Sequence, residues 1–265
     1  MTDRWRYVGS AGWNIPRIHR DRFAADGSQL QRYASRLNAA EINTSFYRPH
    51  AATTYERWAA AVPAAFRFAV KIPKLITHDR ALLRARQPLE QFLDEIAGLG
   101  ARLGPLLLQL PPSFVFEPRR VGRFLQILRA RHDGLVVCEP RHATWTLPAA
   151  ARLLEQFQIA RVAADPPRAA GLDVPGGWTG ITYYRWHGSP RPYFSPYTPA
   201  DLDRLAAEVR AAGAAQTWCV FDNTGSGSAA GNALDLMSRL AADAAPTVAA
   251  SPARRRQQPA RRTRA

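Results

Sequence analysis

The chain has 265 residues, of which 46% are hydrophobic, and it carries a formal net charge of +15 at pH 7. This length and apolar content allow one complete hydrophobic core, which excludes a chain that is disordered throughout. No apolar run approaches the roughly 20 residues that span a bilayer, and no apolar signal region follows Met1. The sequence therefore predicts a cytoplasmic protein without a membrane segment.

The positive charge comes almost entirely from arginine, because Lys71 and Lys74 are the two lysines among 36 basic residues. Such arginine use in an alanine-rich chain also fits a compositional bias. Six arginines lie near the end of the chain, at positions 254, 255, 256, 261, 262 and 264. This end has almost no apolar content, so we expect one domain over residues 1–245 and a disordered basic tail over residues 246–265.

Strand-like and helix-like runs alternate along the chain. The predicted strands are Arg6–Ser10, Ala39–Asn43, Phe66–Lys71, Pro105–Leu110, Leu135–Glu139, Ile159–Ala164, Ile181–His187 and Thr217–Phe221. The predicted helices, with apolar residues at helical spacing, are Gln29–Leu37, Thr53–Ala61, Leu89–Leu99, Arg119–Ala130, Ala149–Phe157, Pro199–Ala211 and Ala229–Ala241. This alternation predicts an α/β protein, a TIM-like (β/α)8 barrel.

The sixth crossover, Pro166–Gly180, is the exception to this alternation. Its Pro-Pro and Gly-Gly pairs indicate a loop, so we expect an irregular crossover that lacks a clear helix. The strand that follows also indicates how the barrel builds a site. Side chains alternate between the faces of a strand, so Tyr183, Arg185 and His187 share one face while the two residues between them share the other.

Polar residues gather at the C-terminal ends of the predicted strands, where parallel barrels build their active sites. The residues at these ends are Glu41, Asn43, Lys71, Gln109, Glu139, Arg141, Asp165, Arg185, His187, Asp222 and Asn223. Charges at so many strand ends cost too much desolvation to be there for packing alone, so the set predicts a site. For any single member, the alternative is a salt bridge that closes the top of the core.

Three carboxylates in this set favour catalysis. Glu41 and Glu139 are expected to face each other across the mouth of the barrel, with Asp165 beside the second. Such groups can divide acid and base roles or hold a divalent metal, and His187 could serve in either arrangement. These residues do not identify a cofactor, and a divalent metal is one option.

Cations and flat groups indicate what the site binds. Lys71, Arg141 and Arg185 favour a small ligand with a phosphate or carboxylate group. Trp13 after the first strand and Tyr47 after the second provide aromatic walls, which suit sugars and nucleobases alike.

Two segments just beyond the strands add to the predicted rim. His78 follows the third strand. The Gly/Ser loop Asp222–Asn232 follows the eighth strand, and its backbone amides could cradle a phosphate. The alternative is a flexible loop with a serine N-cap.

Nine motifs occur in a fixed order along the chain: Gly9–Trp13, Glu41–Tyr47, Phe66–Lys71, Thr77–His78, Leu108–Pro112, Glu139–His142, Asp165, Arg185–Gly188 and Phe221–Asn223. Together they resemble the YecE-like proteins, family 72 among the domains of unknown function. The resemblance implies a TIM-barrel-like fold but no established activity, and nucleic-acid roles suggested for such barrels rest on analogy. Two positions depart from the family pattern: Pro140 stands where a larger apolar residue is usual, and Asp222 where an asparagine is common.

These observations lead to two hypotheses for function. The first is a hydrolase or lyase acting on a phosphorylated or otherwise anionic sugar or nucleotide, with Glu41, Lys71, Glu139, Asp165 and His187 as catalytic groups. The second is a nucleic-acid-binding module without turnover, helped by the basic tail. A glycosidase is a third option, but the rim cations have no partner in a neutral sugar.

The catalytic hypothesis carries an expectation for stability. If the carboxylates are crowded but unpaired, neutralising Glu139 leaves the free energy of unfolding unchanged or slightly raised.

Overall fold

The computed structural model describes residues 5–242. Its strands are β1 (Trp5–Ala11), β2 (Ala39–Ile42), β3 (Arg67–Lys71), β4 (Leu103–Gln109), β5 (Val136–Glu139), β6 (Ile159–Arg161), β7 (Ala163–Asp165), β8 (Gly176–Gly177), β9 (Ile181–Trp186) and β10 (Gln216–Phe221). Its α-helices are α1 (Gln29–Ala34), α2 (Thr44–Tyr47), α3 (Ala52–Ala60), α4 (Arg86–Ile96), α5 (Pro118–Arg129), α6 (Pro148–Gln156), α7 (Pro199–Ala211) and α8 (Ser228–Ala242). The expected basic tail and the expected domain boundary at residue 245 lie outside the described residues. Within residues 5–242, a helix with the length and apolar character to cross a membrane is absent.

Eight strand positions form a TIM-like barrel, as the sequence predicts. The strands follow the order β7, β9, β10, β1, β2, β3, β4, β5, β6 and β8, and every neighbouring pair is parallel except β6 with β8. The sixth position is split at Val162, because strands in a barrel are staggered and the first half meets β5 while the second half meets β9. The Val162 amide donates to the Cys138 carbonyl oxygen at 2.8 Å, which keeps the chain attached to β5 at the break.

The crossover between β7 and β9 has no α-helix, as predicted. The two-residue strand β8 lies there and pairs antiparallel with the end of β6. Several short turns were not predicted, because they are too short to display a hydrophobic period. They are α2, a π-helical turn at Leu75–Asp79, and 3-10 turns at Arg17–Arg22, Ala97–Arg102 and Ala143–Thr146.

Two hydrophobic layers hold the fold together. Inward-facing residues such as Leu107, Val137 and Tyr183 fill the barrel, and outward-facing residues such as Tyr184 and Trp186 pack beneath the helices. The alternation predicted for β9 is therefore confirmed. We call the end of the barrel at the strand C-termini the upper end and the opposite end the lower end.

Candidate functional site

The upper end of the barrel carries a group of charged side chains, which we call the ion cluster. Its members are Glu41 from β2, Lys71 from β3, Glu139 from β5, Arg141 just after β5, Arg185 from β9, His187 just after β9 and Asp222 just after β10. All of them except the half-buried Arg141 are buried. Burying this many charges is unfavourable unless they are paired, so the pairing decides what each group can do.

Arg185 is the hub of the ion cluster. Its Nε donates to Glu41 Oε2 at 3.1 Å, and its Nη2 donates to Glu41 Oε1 at 2.8 Å. Its Nη1 donates to Glu139 Oε2 at 3.0 Å, and Nη2 also lies 3.0 Å from Asp222 Oδ2. The Tyr183 hydroxyl adds a further bond to Glu41 Oε2 at 2.9 Å. One planar guanidinium thus binds three carboxylates, a task for which its fixed fork of donors is suited.

His187 connects two of these carboxylates. Its Nε2 lies 3.2 Å from Glu139 Oε1, and its Nδ1 lies 3.0 Å from Asp222 Oδ2. Glu139 Oε1 also accepts from Arg141 Nε at 2.9 Å. Because both ring nitrogens face carboxylate oxygens, the protonated imidazole can donate at both positions.

The pKa values in the ion cluster reflect burial first and the partners second. Burial raises the pKa of Glu139, but Arg141, Arg185 and His187 together hold that pKa well below its ordinary value. Burial likewise raises the pKa of Asp222, and Arg185 and His187 bring it below its ordinary value. Burial lowers the pKa of His187, yet Glu139 and Asp222 raise it above the ordinary histidine value. These shifts favour ionised carboxylates at Glu139 and Asp222 and a protonated imidazole at His187.

Lys71 is the member of the ion cluster that lacks a partner. Its ammonium forms no hydrogen bond or ion pair with any residue in 5–242, and Nζ lies 3.9 Å from the centroid of the Phe46 ring. Burial lowers the pKa of Lys71 most and Arg185 lowers it further, while the three carboxylates oppose this change, so the pKa falls from 10.5 to about 8. Lys71 is thus a buried amine able to exchange a proton near neutral pH.

A cavity of about 690 Å³ opens beside the ion cluster. Lys71, Arg185 and Asp222 lie in its wall, together with the predicted ligand-binding residues Trp13, Asn43 and Tyr47. The Trp13 ring packs edge-on against Trp58 at 5.1 Å, whereas Tyr47 is 78% exposed. The Asn43 Oδ1 atom is buried without a hydrogen-bond partner among the described residues. The cavity therefore combines aromatic walls, cations and an unused acceptor.

His78 and Gln109 lie together at the same end. Gln109 Nε2 donates to the Leu110 carbonyl oxygen at 3.0 Å and lies 3.5 Å from His78 Nε2. Burial lowers the pKa of His78 to about 4, with Lys71 and Arg141 acting in the same direction. His78 is therefore a neutral neighbour of the ion cluster near pH 7.

Asp165 is not brought to the ion cluster, contrary to the sequence interpretation. It pairs in register with Trp186, an outward-facing residue, and lines a separate cavity with Tyr184 and Trp186 on the outer face of the sheet. Side-chain alternation explains this position, because Val162 faces the barrel interior and Asp165 lies an odd number of residues further along. Its place at a strand end suggested Glu139 as a neighbour, but the alternation of side chains along the strand places Asp165 on the outer face of the sheet.

The Gly/Ser loop after β10 is tied to the rest of the fold. Asn223 Nδ2 donates to the Ser195 carbonyl oxygen at 3.1 Å and to Asn232 Oδ1 at 2.9 Å, so this predicted binding residue anchors the loop to α8. The Gly225 and Gly227 amides donate to backbone carbonyl oxygens of the protein. These two amides are therefore not available to cradle a phosphate in this conformation.

Several residues at the site were not predicted, among them Tyr183, Arg48, His50 and Tyr193. Tyr183 had a sequence signal, because it lies two residues before Arg185 on the same strand face. Arg48, His50 and Tyr193 also line the cavity, but they lie on connecting segments with no periodic pattern. Loop placement depends on tertiary packing, so no local signal could have identified them.

The donor set does not fit a metal centre. Among residues 5–242, no group of three or more His, Cys, Asp or Glu side chains is arranged to hold a metal ion. Glu41, Glu139 and Asp222 direct oxygen atoms to Arg185 instead. The sequence left a divalent metal as one option for a cofactor. The described residues provide no ligand set for such a metal in this arrangement.

The family model described as "Protein of unknown function DUF72" matches residues 7–258. The chain belongs to the DUF72 family. The UPF0759 protein YecE of Escherichia coli (strain K12) is 32% identical over 108 residues, which are 41% of this chain and 38% of YecE. The UPF0759 protein YunF of Bacillus subtilis (strain 168) is 26% identical over 148 residues, which are 54% of this chain and 52% of YunF. The matches thus span about half or less of these curated relatives.

Solved structures support the DUF72 fold. A DUF72 family protein of Thermotoga maritima MSB8 has a TM-score of 0.75 at 24% identity, with 90% of this chain and 100% of that chain covered. A DUF72 family protein of Enterococcus faecalis V583 has a TM-score of 0.74 at 23% identity, with 91% and 99% covered. A methyltransferase from Methanosarcina mazei has a TM-score of 0.53 at 10% identity, covering 90% and 95%. At these identities the similarity concerns the fold alone.

Proposed function

We propose that this DUF72 protein is an enzyme, a hydrolase or lyase, acting on a phosphorylated or otherwise anionic sugar or nucleotide in the upper cavity. The observation that carries the proposal is Lys71, a buried cation in the cavity wall that has no ion pair within residues 5–242. A buried unpaired ammonium destabilises a fold, and proteins retain such groups chiefly where function requires them.

The charge of the cavity wall supports an anionic substrate. Arg185 is neutralised by carboxylates, but Lys71 and Arg48 form no ion pair with any described residue. Both therefore have free charge for a phosphate or carboxylate group. The planar Trp13 and Tyr47 side chains in the same wall suit a sugar or a nucleobase.

The shifted pKa values support a division of roles. Lys71, with a pKa of about 8, acts as a base or as an anchor for the anion. Both ring nitrogens of His187 face carboxylates, so we assign His187 as a positioning residue for Glu139 and Asp222. Glu41 and Glu139 are bound to Arg185, so we assign them as positioning residues rather than as an acid and base pair.

Turnover assays test the proposal. Phosphorylated sugars and nucleotides are incubated with the wild-type protein, Lys71→Met and the matched control Lys74→Met, and the products are followed by proton NMR. We expect the wild type and Lys74→Met to convert the same substrate. We expect Lys71→Met to convert that substrate about 10²–10³-fold more slowly. Turnover by a folded Lys71→Met protein at the wild-type rate would overturn the proposal.

Nucleic-acid binding is a second candidate, favoured by the net charge of +15 and by the six arginines at the end of the chain. Its test is duplex DNA binding over a salt series by the full chain and by a chain ending at residue 245. If the six arginines contact phosphates, removing them lowers the slope of log affinity against log salt by up to about 5. Equal slopes and affinities would exclude this role for the tail.

A further inference from the structure

The two lysines of the chain have different surroundings, although only two residues separate them. The Lys74 side chain is about half exposed and forms an ion pair with Asp79. Lys71 is buried in the wall of the upper cavity, and its Nζ contacts the face of the Phe46 ring. The pair therefore offers an internal comparison between an ordinary surface lysine and a desolvated one.

The surroundings of Lys71 match those that activate an amine. An amine attacks a carbonyl carbon only in its neutral form, and proteins favour that form by desolvating a lysine or placing a second cation beside it. Lys71 has both features, since burial and Arg185 lower its pKa to about 8. Roughly a tenth of the Lys71 side chains are then neutral at pH 7. The cavity gives a small molecule access to this amine.

We propose, resting on the function proposed above, that Lys71 forms an imine with an anionic carbonyl compound, such as a sugar phosphate or an oxo acid, bound in the upper cavity. The Nζ lone pair forms the C–N bond while the carbonyl π pair moves to oxygen, which takes a proton from solvent. Nitrogen then releases a proton, the oxygen takes another and leaves as water, and a protonated imine remains. Starting from the ammonium, one carbonyl compound enters, one water leaves, and the positive charge is kept.

The rest of the ion cluster suits this intermediate. Glu41, Glu139 and Asp222 all favour a positive charge at the Lys71 nitrogen, and the protonated imine retains that charge. A protonated imine also draws electrons from the neighbouring carbon, which allows a C–C or C–H bond beside it to break. The inference therefore narrows the proposed reaction to that of a lyase rather than a hydrolase.

Borohydride trapping tests the imine. The wild-type protein is incubated near pH 8 with pyruvate, dihydroxyacetone phosphate or the uncharged probe acetone, and sodium borohydride converts any imine to a stable amine. Intact mass and peptide mapping then locate the product. We expect one adduct with at least one anionic probe, about tenfold more abundant on Lys71 than on Lys74, and little adduct with acetone. Lys71→Arg keeps the charge but gives no adduct at position 71.

Equal labelling of both lysines, or no adduct with either anionic probe, overturns the imine. The comparison of the two lysines lies within the wild-type protein, so a variant that fails to fold does not affect it. Thermal shifts with the same probes, without borohydride, test the anion site separately. A shift in wild type and Lys71→Arg without any adduct overturns the imine and leaves the proposed function standing, whereas no shift and no adduct count against both.

Discussion

Cavities of nearly equal volume lie at the two ends of the barrel, about 690 Å³ at the upper end and about 640 Å³ at the lower end. The lower wall is formed by the first residues of β1, β3, β4 and β10, and includes the aromatic side chains of Trp5, Tyr7 and Trp218. The upper wall includes the buried charges of Lys71 and Arg185. Cavity size therefore does not distinguish the two ends, whereas the cost of burying charge does.

A stack of aromatic rings separates the two ends. Trp218 stacks with Tyr7 at 4.6 Å and with Tyr183 at 6.0 Å inside the barrel. The Tyr183 hydroxyl then reaches the ion cluster at Glu41. The three rings of this aromatic floor are buried, so each charge above it interacts more strongly than it would in solvent.

The largest expected effect on stability comes from removing the hub of the ion cluster. Arg185→Met leaves Glu41, Glu139 and Asp222 buried without their shared cation, and we expect the free energy of unfolding to fall by about 3–5 kcal/mol. The matched change at the lower end is Arg67→Met, which removes donors to two nearby backbone carbonyl oxygens and should cost about 1 kcal/mol or less. Urea unfolding measures both, and equal losses would contradict the difference between the ends.

A change of opposite sign in the free energy of unfolding is expected when Lys71 is replaced. Lys71→Met should raise the free energy of unfolding at pH 7 by about 1–3 kcal/mol, because the folded protein no longer desolvates an unpaired ammonium. The folded pKa of about 8 lies below the ordinary 10.5, so wild-type stability rises relative to the variant as the pH increases between these values. Urea unfolding across this range tests the effect, with Lys74→Met as control. Parallel pH curves for wild type and Lys71→Met would show that Lys71 is not desolvated.

Two histidines should show opposite pH dependences. The folded pKa of His187 is raised, so its stabilisation relative to His187→Gln is fully present below about pH 6.5 and is lost as the pH rises through the folded pKa. Burial lowers the pKa of His132 in the lower wall, so its penalty relative to His132→Gln is present at low pH and disappears above about pH 6.5. Denaturant midpoints over a pH series measure both slopes. Slopes of the same sign would contradict the assigned environments.

The smallest effect is expected at the rim of the lower cavity. Trp5 is 55% exposed, so Trp5→Ala should change the free energy of unfolding by less than about 1 kcal/mol. Binding of an anionic probe to the upper cavity should stay within about twofold of the wild-type affinity, because the aromatic floor separates the two ends. Calorimetric titration provides the measurement, and a tenfold loss of affinity would show that the ends are coupled.

The sequence predicted the barrel because its strands appear as separate apolar runs of the expected number. It did not predict the break at Val162, since that break depends on how β6 and β7 meet different neighbours around the ring. Likewise, the short turns after several strands carry no period that a sequence can display. The helices and strands could therefore be predicted from the sequence, whereas the closure of the barrel and the geometry of the loops could not.

The sequence predicted which residues belong to the candidate site, but not which of them contact one another. Strand ends brought Glu41, Glu139 and Arg185 onto the same list, yet their contacts join residues as far as 144 positions apart. The pairing also corrects the stability expectation for Glu139, because a carboxylate held by two arginines and a histidine should cost about 3 kcal/mol or more when neutralised. The prediction for Asp165 was wrong because the alternation of side chains along the strand, and not its position at the strand end, decides which face of the sheet it occupies.

The titration of the two lysine side chains tests the central claim most directly. A protein labelled with ¹³C-lysine gives two Cε signals in NMR spectra, and Lys74→Arg assigns them. We expect the Lys71 signal to titrate with a pKa of about 8, as a desolvated amine beside Arg185 should. A pKa for Lys71 at or above the ordinary value of 10.5 would mean that this ammonium is solvated or paired, and would contradict its assignment as the reactive group of the upper cavity.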